Sequence, residues 1–370
     1  MSAVRAVRLM RVSKLFFGHC EKTVRGAAGK TLTQSPGKIG VHSRMDNICH
    51  TLIGAALGEA GLKHRTVLGA ATLMIAANFP DIDIVAVPFG HGLDFRRGWT
   101  HGVPALVLLP FVLTGLMLAV DRFVRRRRNA AAEPARAKQI LILAAIGIGT
   151  HPVLDWLNVY GMRWLMPFSD RWFYGDALFI VDPWIWGMLA FGTVWARRRW
   201  RAARDPSERG AAQRPARWAL AGVATYILAM LAANASGRRI VQRDMAAAGF
   251  DENARFMVAP VPVTPFRRLV VFDDGEAYRF GTLAWQPTPR FALDEHLVPK
   301  GAEDPAVSVA RATPGGRAFL GWARFPFFVV ERRRADSLVR IGDARYTVDA
   351  EESWAAASIP LPGSSAGANR

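Results

Sequence analysis

The chain has 370 residues, with 48 Lys and Arg against 30 Asp and Glu, a formal net charge of +18. Hydrophobic residues make up 51% of it, which excludes a disordered chain. Two cysteines, Cys20 and Cys49, exclude a disulfide-rich scaffold and a cysteine-ligated metal cluster.

Residues 1–44 are basic, with Arg5, Arg8, Arg11, Lys14, Lys22, Arg25, Lys30, Lys38 and Arg44 against Glu21. No apolar core of a signal peptide follows. Met45 opens a stretch, MDNICHTLIGAALGEAG, that reads as a natural beginning, so 1–44 is expected to be a disordered arm or the product of a misassigned start. A helix is expected at 46–60. Residues 104–120 and 218–237 carry no charge and approach the about 20 apolar residues that a bilayer core requires. Weaker candidate spans lie at 66–80, 139–160 and 177–196, interrupted by Asp81 and Asp83, by His151 and Asp155, and by Asp182. From about 250 to 350 the pattern changes to short β-rich runs with an Asp-Asp-Gly turn signal. Residues 355–370 are small and polar and read as a disordered tail. The expected fold is mainly α: a polytopic membrane bundle of about five helices over 45–237, some too short to cross alone, followed by a small soluble β-rich domain.

Positive charge orients the bundle. Lys63, His64 and Arg65 precede the 66–80 segment, RRRR at 125–128 follows the 104–120 span, and RRRWR at 197–201 follows 177–196. The face richer in Lys and Arg stays cytoplasmic. Threading the chain on that basis sends His50, Asp81, Asp83, His101, His151, Asp155, Asp176 and Asp182 toward the outer face, together with the β-rich domain.

His151 and Asp155 stand four apart in THPVLDW, on one face of a helix. Imidazole and carboxylate suit zinc or another divalent ion. Taken singly, HxxxD also fits a polar seal between helices, ANFPDID a solvated helix end, and His50 a satisfied, non-ligating side chain. Taken together, several carboxylates near a low-dielectric boundary would repel one another and take up protons, and a divalent cation removes that penalty. The expected metal ligands are therefore His50, Asp81, Asp83, His101, His151 and Asp155, with zinc as the expected ion. Asp83 or Asp81 is expected to act as general base or to bridge two ions, and Arg96, Arg97 and Arg163 to hold a negative substrate oxygen. Asn158 and Asp176 are expected to orient ligands.

The run MDNICHTLIGAALGEAG, then ANFPDID, RRGWTHG and THPVLDWLNVYGMRWLMPFSDRWFYGDALFIVDPWIW, resembles the LexA-regulated, inner-membrane-associated metal-dependent hydrolases (YdjM-like) over about residues 45–196. The resemblance implies a bacterial inner-membrane protein with metal-dependent hydrolase activity. The order His, Asp, His, HxxxD is also similar to the ligand order of zinc-dependent phospholipase C. That similarity puts His50, Asp81 or Asp83, His101, His151 and Asp155 on ligand positions. The later His/acid pair of those enzymes has no clear counterpart, although Asp176 and Asp182 stand where substitutes would.

The expected activity is hydrolysis of a phosphoester or other ester of a membrane lipid or lipid-linked substrate, at the periplasmic face. The competing reading is an ion- or proton-coupled transporter using the Asp/His cluster. A nucleic-acid partner is not expected, because the basic residues lie at span ends and in the first 44 residues, where topology and anionic lipid account for them.

Overall fold

The computed structural model describes residues 43–89, 92–333, 336–351, 353 and 355–362. The expected basic arm therefore lies almost wholly outside the described residues. The chain forms two compact units. The helical unit holds 43–236 with 263–265, and the C-terminal unit holds 237–262 and the residues from 266 onward.

In the helical unit, α1 (Ser43–Glu59) leads through a short 3-10 turn, Leu62–Arg65, to α2 (Gly69–Ala76). Pro80 stands in the first turn of a 3-10 segment, Phe79–Phe89, bent by 48° from α2. There follow α3 (Val103–Val120), prolonged by a π turn to Arg128, and α4 (Ala137–Leu157). After an irregular stretch come α5 (Pro183–Ala202), α6 (Pro206–Ala212) and α7 (Arg214–Ala247), whose last turns belong to the C-terminal unit.

Among the described residues, three helices are long and apolar enough to cross a membrane: Val103–Arg128, Ala137–Leu157 and Pro206–Ala247. The bent pair Gly69–Ala76 and Phe79–Ala86 makes a fourth if it is one span. The expected span at 177–196 is corrected. Its first six residues are not helical, and α5 starts only at Pro183. Its apolar part ends at Ala196, before Arg197, and so reaches about 21 Å, short of a ~30 Å hydrocarbon core.

Contacts at the two ends of this unit show how its helices alternate. At one end Arg136 N donates to Thr66 Oγ1 (2.9 Å), Arg217 Nε donates to Ala60 O (2.9 Å), and the His64 ring stacks on Trp200 at 4.0 Å. At the other end His151 Nδ1 lies 2.7 Å from Ala77 O, Val103 N donates to Trp164 O (3.0 Å), and Asn234 Nδ2 donates to Asp176 O (2.7 Å). The basic turn after α1, the start of α4 and the C-terminus of α5 thus share one end. The end of α2, the start of α3 and the end of α4 share the other.

Close approach of α1 and α2 depends on Gly54. A Cβ there would stand 2.6 Å from Leu73 O and 2.8 Å from Met74 Cα, both rigid backbone atoms. Gly54→Val is expected to force the two helices apart and cost about 1–3 kcal/mol. Thermal unfolding in detergent, against a Gly149→Val control whose Cβ would meet nothing within 4 Å, checks this.

The C-terminal unit carries a four-stranded antiparallel sheet, β1 (Phe256–Pro260), β2 (Arg267–Asp273), β3 (Ala277–Ala284) and β4 (Arg290–Pro299), paired in that order. The Asp-Asp-Gly signal makes the β2–β3 turn. Gly275 adopts φ 103°, Asp273 accepts from its N–H, and Asp274 accepts from Ala277 N. Two short helices, α8 (Pro305–Ala312) and α9 (Pro314–Trp322), precede a second antiparallel sheet of β5 (Pro326–Arg332), β6 (Asp336–Asp343) and β7 (Ala356–Pro362). Strand β7 falls where a disordered tail is expected. Its prolines, Pro360 and Pro362, mask it in the sequence but are tolerated because β7 is an edge strand.

Candidate metal centre

Three separate stretches of chain bring four donors together. Asp81 comes from the 3-10 segment after α2, His101 from the turn before α3, and His151 and Asp155 from consecutive turns of α4. One ligand atom from each lies within 4.8 Å of the other three. His101 Nε2 stands 3.1 Å from His151 Nε2. Asp155 Oδ2 stands 3.4 Å from the first nitrogen and 3.5 Å from the second. Asp81 Oδ1 stands 3.8 and 3.7 Å from them. Tetrahedral ligands at about 2.0–2.2 Å from a central ion are separated by about 3.3–3.6 Å, so these donors have close to the spacing such an ion needs.

The imidazoles are also oriented as ligands. His151 Nδ1 lies 2.7 Å from the Ala77 carbonyl, which only accepts, so Nδ1 carries the proton and Nε2 offers its lone pair to the group. His101 Nδ1 meets Thr100 Oγ1 at 3.0 Å and lies 3.6 Å from Asp83 Oδ2, which favours the same tautomer. Two lone pairs then face each other between two carboxylates, an arrangement that requires a proton or a cation at its centre. His101, His151 and Asp155 are buried, whereas the Asp81 side chain is 12% exposed and forms the open side. A buried Asp/His group of this composition can bind a metal ion.

His50 and Asp83 stand just outside the four. The His50 ring stacks on His151 at 3.9 Å, and its Nε2 lies 3.5 Å from Asp155 Oδ1, the oxygen turned away from the other imidazoles. Asp83 Oδ2 accepts from Arg97 N at 2.8 Å while facing His101 Nδ1.

A family model described as YdjM inner membrane protein matches residues 45–240. The chain belongs to that family. It is also similar to the inner membrane protein YbcI of Escherichia coli (strain K12), 26% identical over 175 residues that cover 40% of this chain and 92% of that protein. No solved structure matches it. The four donors, His50 and Asp83 all lie inside the range matched to the YdjM family, and the strands of the C-terminal unit lie outside it.

Two of the three arginines expected to grip an anion, Arg97 and Arg163, are occupied with protein groups in this YdjM-family chain. Arg97 Nη2 pairs with Asp155 Oδ1 at 2.9 Å, and its Nη1 donates to Asn158 Oδ1 (3.2 Å) and Gly161 O (3.4 Å). Its guanidinium lies over the Tyr160 ring at 4.6 Å. Arg97 adopts φ 50°, a left-handed backbone rarely taken by a residue with a side chain, which marks the turn as held by its surroundings. Arg163 Nη2 donates to Arg96 O at 2.9 Å, and its guanidinium carbon lies 5.0 Å from the Trp172 ring centre. Arg96 Nη2 lies 3.9 Å from Asp81 Oδ1. Asn158 Oδ1 also accepts from Tyr160 N at 2.9 Å, closing the loop that carries Arg163.

Asp176 and Asp182 serve the fold around α5. Asp182 caps α5 by accepting from Trp184 N and Ile185 N, and its second oxygen accepts from Tyr226 OH. Asp176 is buried at φ 49°, and its carbonyl accepts from Asn234.

The sequence reading did not single out Thr100, Tyr160 or the Ala77 carbonyl. Thr100 is adjacent to His101 in WTHG and was findable as a polar neighbour. No side-chain pattern marks a backbone carbonyl.

Proposed function

We propose that this protein is a polytopic inner-membrane hydrolase that depends on a divalent metal, with zinc the first choice, and that attacks a phosphoester or other ester of a membrane-proximal lipid or lipid-linked substrate. The single observation that carries the reading is the meeting of Asp81, His101, His151 and Asp155 at ligand spacing, with the lone pair of His151 Nε2 directed inward by the Ala77 carbonyl. An ion held there supplies Lewis acidity and lowers the pKa of a water molecule toward neutrality.

The remaining roles belong to the chain's own side chains. Asp83 faces His101 Nδ1 and fixes the Arg97 turn by accepting from Arg97 N. Arg97 occupies one oxygen of Asp155, so that the other faces the two imidazoles. Asp81, on the open side of the group, takes the general-base role. Arg96, beside it, is the remaining cation for an anionic substrate oxygen.

Distance along the helices supports the periplasmic placement. From Arg136 to Asp155, α4 rises about 28 Å, close to the ~30 Å thickness of the hydrocarbon core. The basic end of the unit and the metal centre therefore lie about one membrane apart, and the Arg- and Lys-rich end takes the cytoplasmic side.

The test is turnover of a chromogenic phosphodiester by detergent-purified protein. Activity abolished by a chelator, restored by a divalent ion and lost in Asp81→Ala supports the reading. Chelator-insensitive activity, or none with any divalent ion, overturns it. Ion flux into liposomes that Asp81→Ala abolishes would instead support the transporter reading.

A further inference from the structure

A positive surface of the helical unit lies at the end opposite the metal centre, and it is assembled around one tryptophan. Trp200, partly buried near the C-terminus of α5, has the His64 ring stacked on it at 4.0 Å with 21° between the planes. Lys63 Nζ lies 5.5 Å from the ring and the Arg209 guanidinium 5.8 Å. These groups come from the turn after α1, from α5 and from α6, so the fold gathers cations that are about 140 residues apart in sequence. Four exposed arginines between 197 and 201 lie on the same last turns of α5, and Arg65 and Arg217 are exposed at this end as well.

The acidic groups of this region are already engaged. Glu59 pairs with Lys63, Asp205 accepts from Ser207 N and Glu208 N, and Glu208 accepts from Arg204 N. Lys63 is thus partly neutralised by Glu59, while the exposed Arg65, Arg197, Arg198, Arg199, Arg201 and Arg209 outnumber these three carboxylates and leave the surface net positive. The surface also lies where α5 leaves its apolar stretch and α7 enters its own, the height of lipid phosphates beside a membrane helix. A half-buried Trp ring is suited to that boundary, with its apolar body against acyl chains and cations above it.

We propose that the Lys63–His64–Trp200–Arg209 cluster is a binding surface for anionic phospholipid headgroups of the leaflet at this end. Its cations take the headgroup phosphate and Trp200 seats the glycerol and upper acyl region. This surface is separate from the metal centre and does not depend on that site's chemistry.

The experiment follows the midpoint of thermal unfolding of the full chain in neutral detergent during titration with phosphatidylglycerol or phosphatidylcholine. Phosphatidylglycerol is expected to raise the wild-type Tm saturably, less so at high salt, while phosphatidylcholine leaves it unchanged. Lys63→Gln/Arg209→Gln is expected to weaken the apparent affinity roughly thirtyfold, the loss expected for two basic groups at an anionic surface. Arg290→Gln/Arg311→Gln, exposed and in the C-terminal unit, should retain it. Should Lys63→Gln/Arg209→Gln not fold, the exposed pair Arg197→Gln/Arg201→Gln gives the same comparison. Unchanged affinity in the cluster variant, or an equal response to phosphatidylcholine, overturns the proposal. So does stabilisation by inorganic phosphate alone to the same extent, which would indicate a soluble-anion site. An oligonucleotide that displaces the lipid would make the surface a nucleic-acid one and overturn it equally.

Discussion

Asp155→Ala is expected to be among the most damaging single changes in the helical unit, through two separable effects. The first is structural. Asp155 is 1% exposed and pairs with Arg97 Nη2 at 2.9 Å, so its removal leaves a buried guanidinium short of its counter-charge. Breaking a buried pair from one side costs about 3–5 kcal/mol. The second is loss of a donor that lies 3.4 and 3.5 Å from the two imidazole nitrogens. Changing an outer partner of a metal ligand already costs about 10–100-fold in affinity, so losing the ligand itself should exceed about 100-fold. Asp155→Asn, of equal size, separates the two by keeping an oxygen toward one side while removing the charge. Unfolding curves and metal titration of both variants check this. Asp155→Ala with wild-type stability and wild-type metal affinity would contradict it.

Arg97→Met should show a dependence on metal that a purely structural arginine would not. Without an ion, Arg97 is the fixed positive charge nearest Asp155, and its replacement leaves a buried carboxylate beside Asp81 uncompensated. The expected cost in chelator is about 3–5 kcal/mol. With saturating metal the ion shares that compensation, and the cost should shrink clearly. Equal destabilisation in both conditions would show that the centre does not take up a cation. Arg97→Gly is the companion variant, because it loses the same guanidinium while accepting φ 50° without strain. It should therefore be somewhat less destabilised than Arg97→Met.

The sequence shows most of the helical skeleton because uncharged runs are long. The 104–120 run lies within α3, 139–160 overlaps α4 at 137–157, and 218–237 lies inside α7. Threading by basic clusters also orders the ends, since helices of similar length must alternate. What it misreads has local causes. At 177–196 the apolar composition continues through residues that are not helical, where the Asp182 side chain, as N-cap, starts α5 only at Pro183. At 355–362, small residues and prolines hide a strand whose pairing comes from β6, far from it in character.

The site was legible as a set of residue types and less so as a set of roles. HxxxD on α4 and the Asp81–Asp83 and His101 stretches meet because α2 and α4 end, and α3 begins, on one side, and that follows from helix direction alone. Which oxygen of Asp155 faces the imidazoles, and that Arg97 and Arg163 bind protein groups, depends on side-chain directions fixed only in three dimensions. Likewise, Asp81 and Asp83 look equivalent in PDID. Yet one residue of spacing turns Asp81 toward the two Nε2 atoms and Asp83 toward His101 Nδ1 and the Arg97 amide.

The most direct measurement is elemental analysis and metal K-edge absorption on full-length protein purified in detergent without added metal, beside His101→Ala/His151→Ala prepared identically. The account predicts at least one divalent ion per wild-type chain, with imidazole scattering from two histidines and nitrogen or oxygen neighbours at about 2.0–2.2 Å, and none retained by the double variant. Wild-type protein that holds no ion after dialysis against zinc, or a double variant that holds as much, would contradict it.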